Sequence, residues 1–343
     1  LEIITGAQVQ RILLDGISAT GVRYKKDDGQ IVETHARREV LLSAGAVGSP
    51  QLLMLSGIGP ASHLQSVNVP VIVDLPGVGQ NLMDHPDFVM KYRCLQPVSI
   101  WPKTRLVGRF LAGIRWLLRN DGICASNQFE AVACLRSSAG VEYPDIQLTI
   151  SPVAVNDETW EPLSEHAFQI HIGLMRTYSR GHVYLRDSNA STAPRILVNY
   201  MKDPRDRDVL RKGIRLVREL VDQPAFDNLC GEEIYPGVSA QSDQEFDTCL
   251  EKKLTTQWHL SGTAKMGNRD DRSAVVDAQG KVFGVNKLRV VDASIMPAAT
   301  NGNTNSPTIM IAEKLSDSIL GKAPLPRIEA PFWQNCDYDT RQR

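Results

Sequence analysis

With 343 residues the chain is long enough for two domains, and a net charge of −1 gives it no basic surplus for holding nucleic acid. Hydrophobic residues make up 42% and charged residues 22%, a globular composition, and no apolar run approaches the roughly 18 residues a membrane span requires. The six cysteines, Cys94, Cys124, Cys134, Cys230, Cys249 and Cys336, form no Cys-x-x-Cys and have no histidine at metal-ligand spacing, so they read as reduced thiols and no metal centre is expected.

In chain order, residues 7–12, 20–24, 30–34 and 39–43 alternate apolar and polar side chains, with Asp15-Gly16 and Asp28-Gly29 between the earlier runs. Period two broken by Asp-Gly predicts hairpins. The fourth run passes through Ala44-Gly-Ala-Val-Gly-Ser-Pro50 into a helical stretch from Gln51, so a strand delivers small residues to a helix start. A phosphate or a flat ring can approach backbone closely at such a place. Gly77-Val-Gly79-Gln-Asn81-Leu82 is the nearest approach to the dinucleotide fingerprint Gly-x-Gly-x-x-Gly; it lacks the third glycine, lies near prolines and reads as a loop.

Residues 106–118 predict a helix with Arg105, Arg109, Arg115 and Arg119 on its margins. Its apolar stripe is expected to pack on its own domain, while the basic margins also suit peripheral contact with an anionic membrane. Runs 129–135, 145–150, 168–172 and 182–185 follow without long helices between them, which predicts an antiparallel sheet. Residues 205–221 predict a helix with Val209, Gly213, Val217 and Leu220 on one face, ending before Pro224. Another is expected over 307–320, and beyond Gly321 the tail is proline-rich and peripheral.

The chemistry concentrates late in the chain. Trp258 is followed by His259-Leu-Ser-Gly-Thr-Ala-Lys-Met-Gly267; Lys287-Leu-Arg-Val-Val-Asp-Ala-Ser294 reads as a buried strand ending in an acid and two small residues; Asn301-Gly-Asn-Thr-Asn305 opens the last helix. His259 supplies a base and Asn303 a hydrogen-bonding amide. Alone, His259 would be one of seven histidines and Asn303 a turn or cap residue. There is no Gly-x-Ser-x-Gly elbow and no His-x-x-x-His pair.

Taken together, the His259, Asp292 and Asn303 segments resemble the C-terminal flavin and active-site region of the glucose-methanol-choline (GMC) oxidoreductases. Gly45-Ala-Val-Gly-Ser-Pro-Gln-Leu-Leu-Met-Leu-Ser-Gly-Ile-Gly59 and Asn81-Leu-Met-Asp-His-Pro86 match further family elements, and the resemblance runs over about residues 5–325. It implies an α/β, FAD-binding two-domain fold with an antiparallel-sheet substrate domain and without the N-terminal Rossmann part. On that basis 1–90 and 256–322 belong to the FAD-binding domain, 91–255 to the substrate domain, and 323–343 to the tail. The chain then reads as the C-terminal portion of a larger flavoenzyme, expected to hold FAD poorly and to be inactive by itself.

The resemblance also implies roles. His259 is the base that takes the hydroxyl proton of an alcohol while hydride leaves for flavin N5, and Asn303 contacts the substrate oxygen. Val9, Asp292, Ala293, Asn303 and Thr304 match FAD-binding positions. Ala125-Ser-Asn-Gln-Phe-Glu-Ala131, Val141-Glu-Tyr-Pro-Asp-Ile-Gln147 and Ser179-Arg-Gly-His-Val183 resemble the choline-oxidising branch, in which Glu130 faces the trimethylammonium group and Trp258 can add a π face. The expected partners are choline and an electron acceptor other than oxygen. The expected location is the matrix side of the mitochondrial inner membrane in a eukaryote, or the cytoplasm or inner membrane of a bacterium. Strand alternation leaves open which face of its sheet Glu130 occupies.

Overall fold

The computed structural model describes residues 2–331 and 334–342. It divides into two compact units: one gathers residues up to Asp84, Thr177–Lys202 and Trp258–Ala330, the other His85–Arg176, Asp203–Gln257 and the C-terminal residues from Pro331.

The first unit opens with the antiparallel strands Ala7–Asp15, Ser18–Lys26 and Ile31–His35. Gly16 and Gly29, at φ 55° and 87°, make the turns that the Asp-Gly pairs predict. The fourth run, Val40–Leu42, makes no hairpin. It pairs in parallel with Leu288–Val290, so its partner comes from the far end of the chain. Helix Gly45–Leu55 follows and seats Leu53 and Met54 in a core with Ile58, Leu64, Val78, Val275, Val276 and Val290.

The Gly77-x-Gly79 segment is a turn, and its glycines admit the protein's own backbone. A Cβ on Gly79, at φ 78°, would lie 2.2 Å from Val183 O, and one on Gly77 would lie 2.3 Å from Ser273 O. The same close approach corrects the expectation that 182–185 joins the antiparallel sheet of the substrate domain. His182–Tyr184 pairs with Arg195–Leu197, Val183 N–H donates to Gly79 O, and Gly181 exchanges backbone hydrogen bonds with Leu82. Residues 177–202 therefore interrupt the 91–255 stretch and belong with the first unit.

The second unit is built on an antiparallel sheet in the order Cys230–Tyr235, Pro86–Cys94, Ala167–Leu174, Ile146–Ser151, Ala131–Leu135, with Thr255–Thr256 also on Pro86–Cys94. One face carries Phe88, Met90, Tyr92, Ile170, Ile172, Ile146 and Leu148, all buried. Helix Pro204–Val221 packs there, capped by Asp203, with Leu210, Gly213, Ile214 and Val217 inward; a Cβ on Gly213 would meet Ile172 at 2.5 Å. The other face is polar: Asp87, Lys91, Gln169, His171, Gln147, Thr149 and Ser151 lie along it by register.

Helix Leu106–Arg119 forms as predicted and ends at Asn120 in the left-handed region. Its apolar stripe does not pack on the unit. No residue of it is buried, and Leu106, Leu117 and Leu118 are 85%, 79% and 77% exposed. The chain's end is not loose either: Arg136 donates to the carbonyls of Arg341 and Gln342, and Gly140 N–H donates to Tyr338 O. Among the described residues no helix is long and apolar enough to cross a membrane, and no cluster of histidine, cysteine or carboxylate could hold a metal.

Candidate active site

In the first unit, strand Leu288–Val290 leads two residues on to Asp292, which is 6% exposed. The carboxylate is occupied by the fold. Its Oδ2 accepts from Gly45 N–H at 3.0 Å and Ser49 Oγ at 2.5 Å, and its Oδ1 accepts from Ser294 N–H at 2.8 Å. Ser49 Oγ in turn accepts from Ala44 N–H. An acid at the end of an apolar strand thus fixes the start of helix Gly45–Leu55 and the short 3₁₀ turn Ala293–Ile295 in one arrangement.

His259 is tethered to that arrangement. Its backbone N–H donates to Oδ1 of the buried Asp84 at 3.0 Å, and Tyr200 OH donates to the other carboxylate oxygen. Met83 and Ser261 form an antiparallel bridge, Gly262 N–H donates to Ala293 O, Ala264 N–H to Ser294 O, and Thr263 Oγ1 to Ala46 O. The structure therefore brings His259, Ala293, Asp292 and the Gly45 helix start into one bonded network. The motif 81–86 contributes Asp84, to which sequence reasoning gave no role. Trp258, at φ 62° and 76% exposed, holds its backbone in the left-handed region just before the histidine.

Asn303 is exposed and Thr304 half-exposed; they precede helix Asn305–Ile319, which packs against the Ala293–Ile295 turn. Its N-cap residue, Thr304, makes no side-chain cap, and Ile309 and Met310 in the first turns are each 55% exposed. An uncapped helix start next to open apolar side chains fits a flavin, whose ring is apolar and whose carbonyls accept hydrogen bonds. Gly45, at φ 77°, has nothing within 4 Å of where a Cβ would stand, so the other helix start is open as well. Val9 lies in the edge strand of its sheet, beside a bulge between Val9 and Arg11.

In the second unit, Glu130 precedes strand Ala131–Leu135 and its N–H donates to Ile150 O at 3.1 Å. Val132 lies opposite Thr149, which lies opposite His171, so the even positions of this strand share the polar face. Register puts Glu130 on that face, the question alternation alone left open. Its side chain is exposed and accepts from Ser126 Oγ at 3.3 Å. Phe129 stands edge-on to His171, with ring centroids 5.7 Å apart.

Sequence reasoning missed the group behind them. His171 Nδ1 is 2.6 Å from Asp87 Oδ2, His171 Nε2 is 2.8 Å from Gln169 Nε2, and Gln257 Nε2 donates to Asp87 Oδ1 at 3.3 Å. Gln257 Oε1 is buried with no partner among the described residues. The available signal was Gln169 and His171 at alternate positions of an otherwise apolar strand.

The chain is similar to known proteins in sequence and in fold. The N-terminal and C-terminal models of the GMC oxidoreductase family match residues 1–87 and 177–312. Proteins of Pseudomonas syringae pv. tomato and Pseudomonas aeruginosa (strain LESB58), both called oxygen-dependent choline dehydrogenase, are 47% identical over 99% of this chain. The chain spans 60% and 61% of their respective lengths. Among solved structures, a formate oxidase of Aspergillus oryzae RIB40 (TM-score 0.85, 26% identity, 92% of this chain and 60% of that one) shares the fold. So does pyridoxine 4-oxidase from Mesorbium loti (TM-score 0.81, 26% identity, 94% of this chain and 58% of that one). With both family models matched and the fold shared, the chain belongs to the GMC oxidoreductase family, an α/β family whose cofactor is FAD.

Proposed function

We propose that this chain carries the catalytic base and the cation-recognising residues of a FAD-dependent oxidation of choline to betaine aldehyde and on to glycine betaine. The observation that carries this reading is the tethering of His259 to Asp84 and to the Asp292–Ile295 turn, in a chain 47% identical to choline dehydrogenases. His259 takes the proton from the substrate hydroxyl at a ring nitrogen. The Asn303 amide donates to the substrate oxygen, an interaction whose loss typically costs on the order of 10²–10³ in turnover. Val9, Asp292, Ala293, Asn303 and Thr304 are the residues that would hold FAD, which supplies the hydride acceptor when bound. Asp292 acts through backbone it positions, since its oxygens are already taken by Gly45, Ser49 and Ser294.

Glu130 attracts the permanent cation without proton transfer, and Trp258 offers a π face worth about 0.5–2 kcal/mol to a desolvated ammonium. Helix Leu106–Arg119, apolar and exposed with arginines at its margins, adds peripheral contact with an anionic membrane to the reading. The family resemblance implies an acceptor other than oxygen, whereas the relatives are called oxygen-dependent; reoxidation by air against reoxidation by a quinone decides between them. A second reading, an oxidase of the same family acting on another alcohol, draws on the neighbours named formate oxidase and pyridoxine 4-oxidase.

Stopped-flow reduction of the FAD-loaded protein by saturating choline tests the first reading. His259→Ala should slow it at least about 10²-fold with FAD content unchanged. Reduction at the unsubstituted rate would remove His259 from the mechanism, and no reduction by choline alongside reduction by another alcohol would favour the second reading.

A further inference from the structure

We propose that Cys94 and Cys230 are an oxidisable thiol pair that closes into a cross-strand disulfide in the presence of a peroxide. The two residues are direct partners in the antiparallel pairing of Pro86–Cys94 with Cys230–Tyr235. The hydrogen bond next to them runs from Leu95 N–H to Leu229 O at 3.0 Å, one residue beyond Cys94 and one before Cys230. That pattern marks a non-hydrogen-bonded pair, the place in an antiparallel ladder where Cα atoms come within about 4.5 Å and side chains approach most closely. A disulfide requires Cα atoms about 4.4–6.8 Å apart, so the strands already meet the main condition.

Among the described residues no other cysteine pair has this placement: Cys134 stands opposite Gln147 in its sheet, and Cys124, Cys249 and Cys336 lie outside the strands. Cys94 and Cys230 are each partly exposed, open to a small oxidant. The Cys230 thiol donates to Gly231 O at 3.7 Å, a contact weak enough to leave. Burial pushes the Cys94 thiol up and the Cys230 thiol up to about 11. Both resting thiols are therefore protonated, and the reaction is slow rather than spontaneous in air.

The step balances with hydrogen peroxide as the oxidant. One thiol gives up its proton and attacks a peroxide oxygen as the thiolate, the O–O bond breaks, and the departing hydroxide takes that proton, leaving a sulfenic acid and water. The second thiol likewise loses its proton and attacks that sulfur, the S–S bond forms, the S–O bond breaks, and the departing hydroxide takes the proton and leaves as a second water. Two electrons pass from the two sulfurs to the peroxide. The link joins positions far apart in the chain at the point where it leaves the sheet toward Leu106–Arg119.

The purified chain treated with hydrogen peroxide should lose two of its six thiols to disulfide. Tryptic mass spectrometry should find the peptides of Cys94 and Cys230 joined, and dithiothreitol should separate them. Closing so long a loop without strain should raise the unfolding midpoint by about 5–10 °C. Cys94→Ser and Cys230→Ser should each abolish both the joined peptide and the rise. The proposal fails if peroxide oxidises the exposed cysteines while these two remain separate, or if the rise survives either serine substitution. The joined peptide is read in the unsubstituted chain, so a variant that folds poorly leaves the test intact.

Discussion

Asp292→Asn probes the network that the site is built on. The substitution keeps an oxygen for Ser294 N–H but turns an amide NH₂ toward Gly45 N–H, placing donor against donor. Ser49 can rotate its hydroxyl to accept, so that bond weakens from charge-assisted to neutral rather than vanishing. A hydrogen bond to a buried charge is worth about 1.5–3 kcal/mol and a neutral one about 1, so the expected loss is about 2–4 kcal/mol. Hydrogen exchange of the Gly45 and Ser294 amides gives the local value, and denaturant unfolding gives the global one. Ser49→Ala should cost about 1–2 kcal/mol alone and markedly less when combined with Asp292→Asn, because both act on one oxygen. A change below about 0.5 kcal/mol with Gly45 still protected would refute the assignment of Asp292 as the clamp between these segments.

Other outcomes are equally concrete. Glu130→Gln should weaken choline by about 1–4 kcal/mol and leave 3,3-dimethylbutanol, its uncharged isostere, nearly unaffected; equal losses in a steady-state comparison would make Glu130 structural. His63 is held below its ordinary value, by burial first and the His182 charge second, and its Nε2 accepts from Leu185 N–H. Folding therefore disfavours its protonation: the stability it contributes is complete above about pH 6.5 and declines as pH falls toward the lower folded value. Unfolding midpoints between about pH 7.5 and 5 should drop less steeply in His63→Asn; an unchanged slope would contradict this. Gly79→Ala, which puts a Cβ 2.2 Å from Val183 O at a positive φ, should cost at least about 2 kcal/mol by thermal unfolding, and a neutral effect would mean that the turn relaxes freely.

Local chemistry was readable from sequence and partnership was not. Asp-Gly turns announced the first hairpins because φ above zero is a property of single residues, and Pro224 set the end of its helix within a few residues. The stretch 39–43 read as a strand, but nothing local could name Leu288–Val290 as its parallel neighbour. Strand Pro86–Cys94, the hub of the second sheet, was passed over even though its side chains alternate, because it directly follows the 81–86 motif. The face of helix Pro204–Val221 was shifted: Leu210 and Ile214 point inward where Val209 and Leu220 were expected. At the site, the types and spacing of His259, Asp292 and Asn303 were visible. Asp84 and the Asp87–His171 pair were not, because their significance lies in contacts between segments distant in the chain.

The chain threads back and forth between its two units, and this sets a timetable for synthesis. Strand Val40–Leu42 leaves the ribosome long before Leu288–Val290, with which it pairs, and the Gly45–Asp292 bond joins residues 247 apart. The sheet of the second unit, by contrast, has all its strands once Thr256 is out. Contacts that close long loops form slowly, so the second unit can mature while the first, whose contacts bracket it in sequence, is still open. For that whole interval the apolar face of the Gly45–Leu55 helix waits for Val275, Val276 and Val290 to cover it, which leaves that face open to chaperones and to other nascent chains.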